Sequence, residues 1–447
     1  MDSEENEKIR RDYKSGIRFT SDCWDCGMHI SVDTYNMCSF GCLYCFSNYL
    51  SRAVERKRMG GFKPVLRAIS TKQISDILDR RRVAGENLTN TLIDEVSKHG
   101  IVQWGALGEG FDRFEERYGV SLELMDIFNR NDIKVRISTK STLLAQDRYL
   151  EKLKRGKYTV SFSIITSDDE MAKKMELGVP TSSERFSAMR KLAEEGIRVH
   201  LRYRPIFMPL MERRVGSGGE EDWKVMIDKA VDAGAKAISY EMVFLTKGPT
   251  YQQRRRDAMM DKVMGVPFTS WWRSESIPAQ ECQRANRLLK YDGMMKIRDY
   301  AHERGLIVGI SDPHFKEYSD SSSCCGFLND DPVWGNFWKK SLLNAVVEGR
   351  KAFERGEPYY VSYDDTVEEW TKKVEVGYMF SIPRRHKYYE GWTLYEHLRN
   401  KWNTPKYARS PYNYFEGILF PDYLDDEKNI VYRYRHWTPE GFKEARG

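Results

Sequence analysis

Seven short runs rich in β-branched and aromatic residues recur between residues 28 and 315: "MHISVDTY", "IVQWGAL", "IKVRIS", "YTVSFSII", "IRVHLRYRPIF", "AKAISYEMVFL" and "LIVGIS". Between them lie "SLELMDIFNRN", "SSERFSAMRKLAEEG", "EEDWKVMIDKAVDAG" and "ANRLLKYDGMMKIRDYAHERG", with apolar residues at three-to-four spacing. Gly196, Gly234 and Gly305 sit where helix C-terminal caps belong, and "STKQ" at 70–73 has the capping-box pattern that opens a helix. Strand and helix alternating this often predict an α/β fold, a parallel sheet or barrel with helices outside. Functional groups then gather where the strands' carboxyl ends and their loops converge.

The chain has 447 residues, enough for one large α/β unit and a smaller satellite. The expected divisions are an N-terminal segment over 1–27, a core barrel over 28–315 and an extension over 316–447. Residues 381–447 hold 15 aromatics in 67 positions, against 13% for the whole chain. No apolar run is long enough to span a membrane, and "MDSEENEKIRRDYKSG" lacks a signal-peptide core, so a cytoplasmic protein without membrane contact is expected. In a reducing compartment eight cysteines are not a disulfide framework. The net charge of +6 permits an anionic partner without demanding one.

The cysteines cluster. "YNMCSFGCLYCFSNY" holds Cys38, Cys42 and Cys45 in the spacing CxxxCxxC, directly after the first strand of the series. Thiolates ligate iron–sulfur clusters and structural zinc. Zinc wants four closed ligands; three thiolates on a cubane leave one iron open to a small molecule. A fragment of a zinc site, or plain buried thiols, is the other reading.

With Tyr44 between its last two cysteines, this motif resembles that of the radical S-adenosylmethionine (SAM) superfamily. The resemblance implies a partial (β/α)6 TIM-like barrel and a [4Fe-4S] cluster on Cys38, Cys42 and Cys45. It also implies SAM as cofactor and an external electron donor such as flavodoxin or ferredoxin. "STKSTLLAQD", "VSFSIITSDDEMAKKMELGVPTSSERFSAMRKLAEEGIRV" and "YRPIF" are similar to the spore photoproduct lyase and DNA repair photolyase branch. Thr139 and Lys140, Ser161 and Ser163, Glu176 and Gly178, and Arg185 fall on that branch's motif positions. Carried over, Lys140 and Ser163 touch SAM, Arg185 or Glu176 steadies its carboxylate or ribose, and Tyr44 lies near adenine. "GALGEGFDRFEE" supplies Gly105, Gly108 and Glu109 for the SAM amino group. The chain departs from the branch in one respect. Spore photoproduct lyase has a hydrogen-donating cysteine after its second strand, where this chain reads "WGALGEG".

Cys23 and Cys26, in CxxC spacing, with Cys324 and Cys325 are candidate ligands of a second iron–sulfur cluster or a zinc. Cys282, on an expected helix, and Tyr240 are candidate catalytic residues. Basic and aromatic residues interleave at 384–392 and 432–437, with basic runs at 56–63 and 254–256, a composition suited to gripping nucleic acid. The expected function is hydrogen abstraction from a base in DNA or RNA. The alternatives are a radical SAM enzyme acting on a peptide or metabolite, and a non-catalytic iron–sulfur or zinc nucleic-acid-binding protein.

Overall fold

Each of the seven β-rich runs contributes a strand to a single sheet. In the computed structural model, which describes residues 9–13, 16–19, 23–28, 30–47, 65–79, 101–246, 249–279, 282–373 and 391–445, these are β2 (Ile30–Val32), β3 (Val102–Trp104), β4 (Lys134–Thr139), β5 (Lys157–Ser163), β6 (Arg198–Ile206), β7 (Ala237–Met242) and β8 (Ile307–Ile310). They lie side by side in chain order and all run parallel. An eighth strand, β1 (Ile17–Phe19), caps the β2 edge antiparallel. Among the described residues β1 and β8 do not pair, so the sheet stays an open, partial barrel.

The strands alternate strictly, and the alternation decides which side chains meet. Val135 and Ile137, Val160 and Phe162, Leu201 and Tyr203, Ile238 and Tyr240, and Val308 and Ile310 are all buried on the face covered by helices. On that face the Tyr158 hydroxyl reaches Met125 O, in the helix Val120–Arg130. The residues between them are polar and point inward: Arg136 and Ser138, Ser161 and Ser163, Arg202 and Arg204, Ser239 and Glu241, Gly309 and Ser311. Cross-strand bonds such as Arg202 to Ser163 and Arg204 to Glu241 confirm the shared face. A polar interior needs polar filling. The segment after β8 returns through the barrel, where Ser323 O accepts from Ser239 Oγ (2.9 Å) and Ser311 Oγ (3.1 Å), and Cys324 O accepts from Arg136 (2.7 Å).

The helix signals are met. Gln73 N donates to Ser70 Oγ at the start of Thr71–Leu78, Thr181 and Glu184 form a capping box on Ser182–Glu194, and Gly196, Gly234 and Gly305 take positive φ. One expectation is corrected. Cys282 opens a short strand, Cys282–Ala285, because the following helix begins only at Arg287, where Asn286 caps it by accepting from Leu289 N. Beyond the barrel, Tyr360–Val361, Leu419–Leu424 and Ile430–Tyr434 form a small antiparallel sheet. One continuous group of buried apolar residues joins it to the barrel, from Trp24 to Tyr434. Among the described residues no helix is long and apolar enough to cross a membrane.

Gly309 tests the returning segment, because a Cβ there would stand 2.8 Å from Ser323 O and 3.0 Å from Ser322 O. Gly309→Val is expected to destabilise the protein by about 1–3 kcal/mol through overpacking. An unchanged urea midpoint would place the segment elsewhere.

Candidate active site

Cys38, Cys42 and Cys45 sit on the loop that leaves β2 at the carboxyl edge of the sheet, and all three line one cleft. Gly41–Cys42 pairs antiparallel with Glu176–Leu177, and Cys45 N donates to Cys42 O at 3.3 Å. The loop is pinned from its own side by two carboxylates that the sequence reading passed over. Asp33 Oδ1 accepts from Leu107 N (3.1 Å) and Gly108 N (2.9 Å), fastening the end of β2 to the loop after β3. Asp112 accepts from Ser39 N at 2.6 Å. Burial pushes the Cys42 thiol up to about 12, with Lys140 opposing and Glu176 reinforcing. Cys38 is also raised, by burial and then by Glu109 and Asp112.

The opposite wall is built from strand ends. Gly105 has φ +82°, and a Cβ there would meet Ser138 O at 2.4 Å, so only glycine lets β3 turn this tightly beside β4. Glu109 accepts from Thr139 Oγ1 (2.9 Å), Lys140 N (2.8 Å) and Phe111 N (3.1 Å). Burial nevertheless pushes its carboxyl up to about 7. Gly105, Gly108, Glu109, Lys140 and Ser163 all line the cleft, as does Arg202, which the sequence reading missed.

Behind the cleft lies a buried ionic knot. Glu176 accepts from Tyr44 OH and from Lys140 Nζ (2.9 Å) on one oxygen, and from Arg185 (2.6 Å) on the other. Arg185 also donates to Ser163 O at 2.6 Å. Burial opposes ionisation of Glu176, but Arg185 and then Lys140 outweigh it and hold the carboxyl at about 2. Three of the expected cofactor contacts are members of this knot. Glu176 and Arg185 are consumed by each other and lie outside the residues that line the cleft, and the Tyr44 hydroxyl is turned into the same knot. Ser161 is buried one layer below Ser163, its hydroxyl without a partner among the described residues.

Of the candidate catalytic pair, Tyr240 is not among the residues that line the cleft. Tyr240 is fully buried and donates to Met294 O (2.9 Å) in the helix Arg287–Glu303, on the outer face of the sheet. The thiol of Cys282 lies outside the described residues. Cys26 and Cys325 are buried in an apolar cluster with Phe327, Trp334 and Trp338, against which Cys324 packs, with the Sγ atoms of Cys324 and Cys325 3.8 Å apart. Cys23 opens the helix Cys23–Cys26, and its side chain lies outside the described residues. Among the described residues no three His, Cys, Asp or Glu side chains converge on a single ion.

The basic and aromatic stretches divide. Tyr432 and Tyr434 are buried, Arg433 pairs with Glu444 at 3.0 Å, and Arg435 is sandwiched by Phe420 and Phe442, so 432–437 is the packing of the small sheet, not a free stacking surface. Residues 56–63 and 384–390 lie outside the described residues. Arg254 and Arg255 are exposed on the helix Tyr251–Met264, beside exposed Tyr251.

Residues 32–213 match the family model of the Radical SAM superfamily. This segment is a radical SAM domain. It includes the cysteine loop and every cleft residue named above. Among curated relatives, an uncharacterized protein of Acidianus two-tailed virus is 23% identical over 172 residues, 35% of this chain and 56% of the relative. An uncharacterized protein of Mycobacterium tuberculosis (strain ATCC 25618 / H37Rv) is 23% identical over 184 residues, 41% of this chain and 51% of the relative. The chain thus spans about half the length of the curated relatives it matches. Among solved structures, a spore photoproduct lyase with bound AdoMet and dinucleoside spore photoproduct has a TM-score of 0.46 at 14% identity, covering 67% of this chain and 80% of that one. Streptococcus suis SuiB bound to S-adenosylmethionine has a TM-score of 0.38 at 14% identity, covering 63% and 49%.

The knot behind the radical SAM cleft generates a stability prediction. Glu176→Gln strands the Arg185 cation in the core and is expected to destabilise the fold by about 3–5 kcal/mol. Adding Arg185→Met should restore part of that loss. Strict additivity of the two substitutions in chemical denaturation would mean that the pair is not coupled.

Proposed function

We propose that this chain is a radical SAM enzyme that holds a [4Fe-4S] cluster on Cys38, Cys42 and Cys45 and binds S-adenosylmethionine beside it. It takes hydrogen from a base in DNA or RNA. The observation that carries the reading is the convergence of the three thiols with Glu109, Lys140 and Ser163 on one cleft at the carboxyl edge of the parallel strands. The donor set suits such a cluster. All three thiols line one cleft, and thiolates are the usual ligands of such clusters. The cluster, when bound, supplies one electron to the sulfonium and so releases methionine and a carbon radical able to abstract hydrogen.

The chain's own residues then have separable roles. The carboxylates of Asp33 and Glu109 suit the cofactor's ammonium group, and the Ser163 hydroxyl its ribose diol. Lys140, fixed by Glu176, keeps a cation at the cleft wall without mobility. Phe40, Phe46 and Leu107 line the same cleft and exclude water from a reactive radical. The electron comes from an external donor of the flavodoxin or ferredoxin type. Residues 316–447 serve as an extension that helps hold the substrate, and the exposed Tyr251, Arg254 and Arg255 support a polyanion running past the barrel.

Cys42→Ala is expected to lose the bound iron and SAM cleavage together, measured by iron analysis and 5′-deoxyadenosine release under dithionite. Full turnover in that variant would refute the assignment. Lys140→Ala should keep the iron and weaken SAM binding by roughly tenfold, about 1.4 kcal/mol. Binding to a labelled single-stranded oligonucleotide should weaken steeply as salt rises. An absence of binding at low salt would remove nucleic acid as the substrate and leave the SAM chemistry standing.

A further inference from the structure

One cation of the cleft has no part in the reading above. Of the charged residues lining it, Asp33 accepts the backbone N–H groups of Leu107 and Gly108, Glu109 is held by Thr139 and Lys140, and Lys140 is paired with Glu176. Arg202 has no carboxylate partner among the described residues. Its guanidinium donates to Ser163 Oγ at 3.2 Å, and its Nε is buried with no hydrogen-bond partner.

Glu241 and the Cys324 thiol lie close enough to favour the Arg202 cation, but among the described residues neither forms an ion pair or hydrogen bond with it. Glu241, on β7, is shared by Arg204 and by Arg284 (3.0 Å). Asp312 is 2.6 Å from Lys290, and Glu416 is 2.6 Å from His314. Arg136, fully buried on β4, brings a further positive charge and, among the described residues, bonds to Ser138 and Cys324 O and pairs with no carboxylate. Burial, then Arg204 and Arg136, draw the Arg202 guanidinium down to about 9, outweighing the opposing effect of Cys324 and Glu241. A desolvated guanidinium facing two others is strongly unfavourable unless an anion joins it, and its planar fork matches a carboxylate or phosphate.

We propose that Arg202 is the oxyanion receptor for the substrate, gripping a phosphate or carboxylate that enters the cleft beside the cofactor. The inference rests on the SAM reading of the cleft. Its placement supports a substrate group over the cofactor's own carboxylate. The cysteine loop, the Gly105–Glu109 turn, Lys140 and Ser163 all belong to β2 through β5, whereas Arg202 lies one strand further on, in register with Ser163. Ser163 Oγ accepts from Arg202 and so fixes one edge of the guanidinium. With a nucleic-acid substrate, the anion is the backbone phosphate next to the reacting base.

The test uses cluster-reconstituted full-length protein titrated calorimetrically with inorganic phosphate and, separately, with acetate. SAM affinity is measured in parallel, and circular dichroism verifies folding. Wild type should bind one of the two probes whether or not SAM is present, and the preferred probe names the oxyanion class. Arg202→Gln should weaken that binding at least tenfold and Arg202→Lys should restore part of it, with SAM affinity within about twofold of wild type in both. Equal probe binding by wild type and Arg202→Gln, or no binding of either probe, overturns the proposal. So does exclusion of the probe by saturating SAM together with a tenfold loss of SAM affinity in Arg202→Gln, which would give Arg202 to the cofactor. Failure of the protein to bind iron or SAM at all sinks the cofactor reading by a separate measurement.

Discussion

The site depends on one carboxylate, Glu176, buried at the edge of the cysteine loop and shared by Tyr44, Lys140 and Arg185. Each partner belongs to a different part of the fold: Tyr44 to the cysteine loop, Lys140 to the end of β4, Arg185 to the helix Ser182–Glu194. Arg185 extends the link to the end of β5 through Ser163 O. Isolated charges this deep would be strongly disfavoured, so the arrangement holds only when all members are present together. A loop carrying three thiols has little regular structure of its own. Clamping it through Glu176 on one side and through Asp33 and Asp112 on the other gives it a defined position without a long strand.

The interior of the barrel extends the same principle. Its helix-facing side is apolar and packed, and its inner side carries arginines, serines and a single bridging glutamate. The segment after β8 folds back, offers carbonyls to Ser239, Ser311 and Arg136, and sets the Cys324 thiol beside Arg136, Arg204 and Arg202. The barrel therefore remains electropositive beside a cleft whose cysteine end is lined by Asp33 and Glu109. A zwitterionic cofactor and an anionic substrate both find complementary charge in such a gradient.

Much of this was legible in the residues. The strands announced themselves because period-two runs of Val, Ile, Phe and Tyr have few other ways to bury one face, and Gly196, Gly234 and Gly305 marked helix ends that need left-handed backbone. The same alternation could have ruled out Tyr240, since Ser239 and Glu241 on either side of it belong to the inner face. Cys282 was read as helical although Asn286, a strong N-cap, stands just after it. Tyr432, Tyr434 and Arg435 looked like a stacking surface because composition does not distinguish a packed aromatic from an exposed one.

What the sequence determined by itself was local: three thiols at fixed spacing after a strand, the strand–helix alternation, and the glycine turn at Gly105. Tertiary structure decided which charges found each other. Glu176 and Arg185 meet because the fold buries a carboxylate and a guanidinium together near the end of β5, where they satisfy one another. Arg202 entered the cleft because the register of β5 against β6 sets it beside Ser163, and among the described residues no carboxylate pairs with it. Pairing of this kind depends on distances between strands far apart in the chain, and no local pattern encodes it.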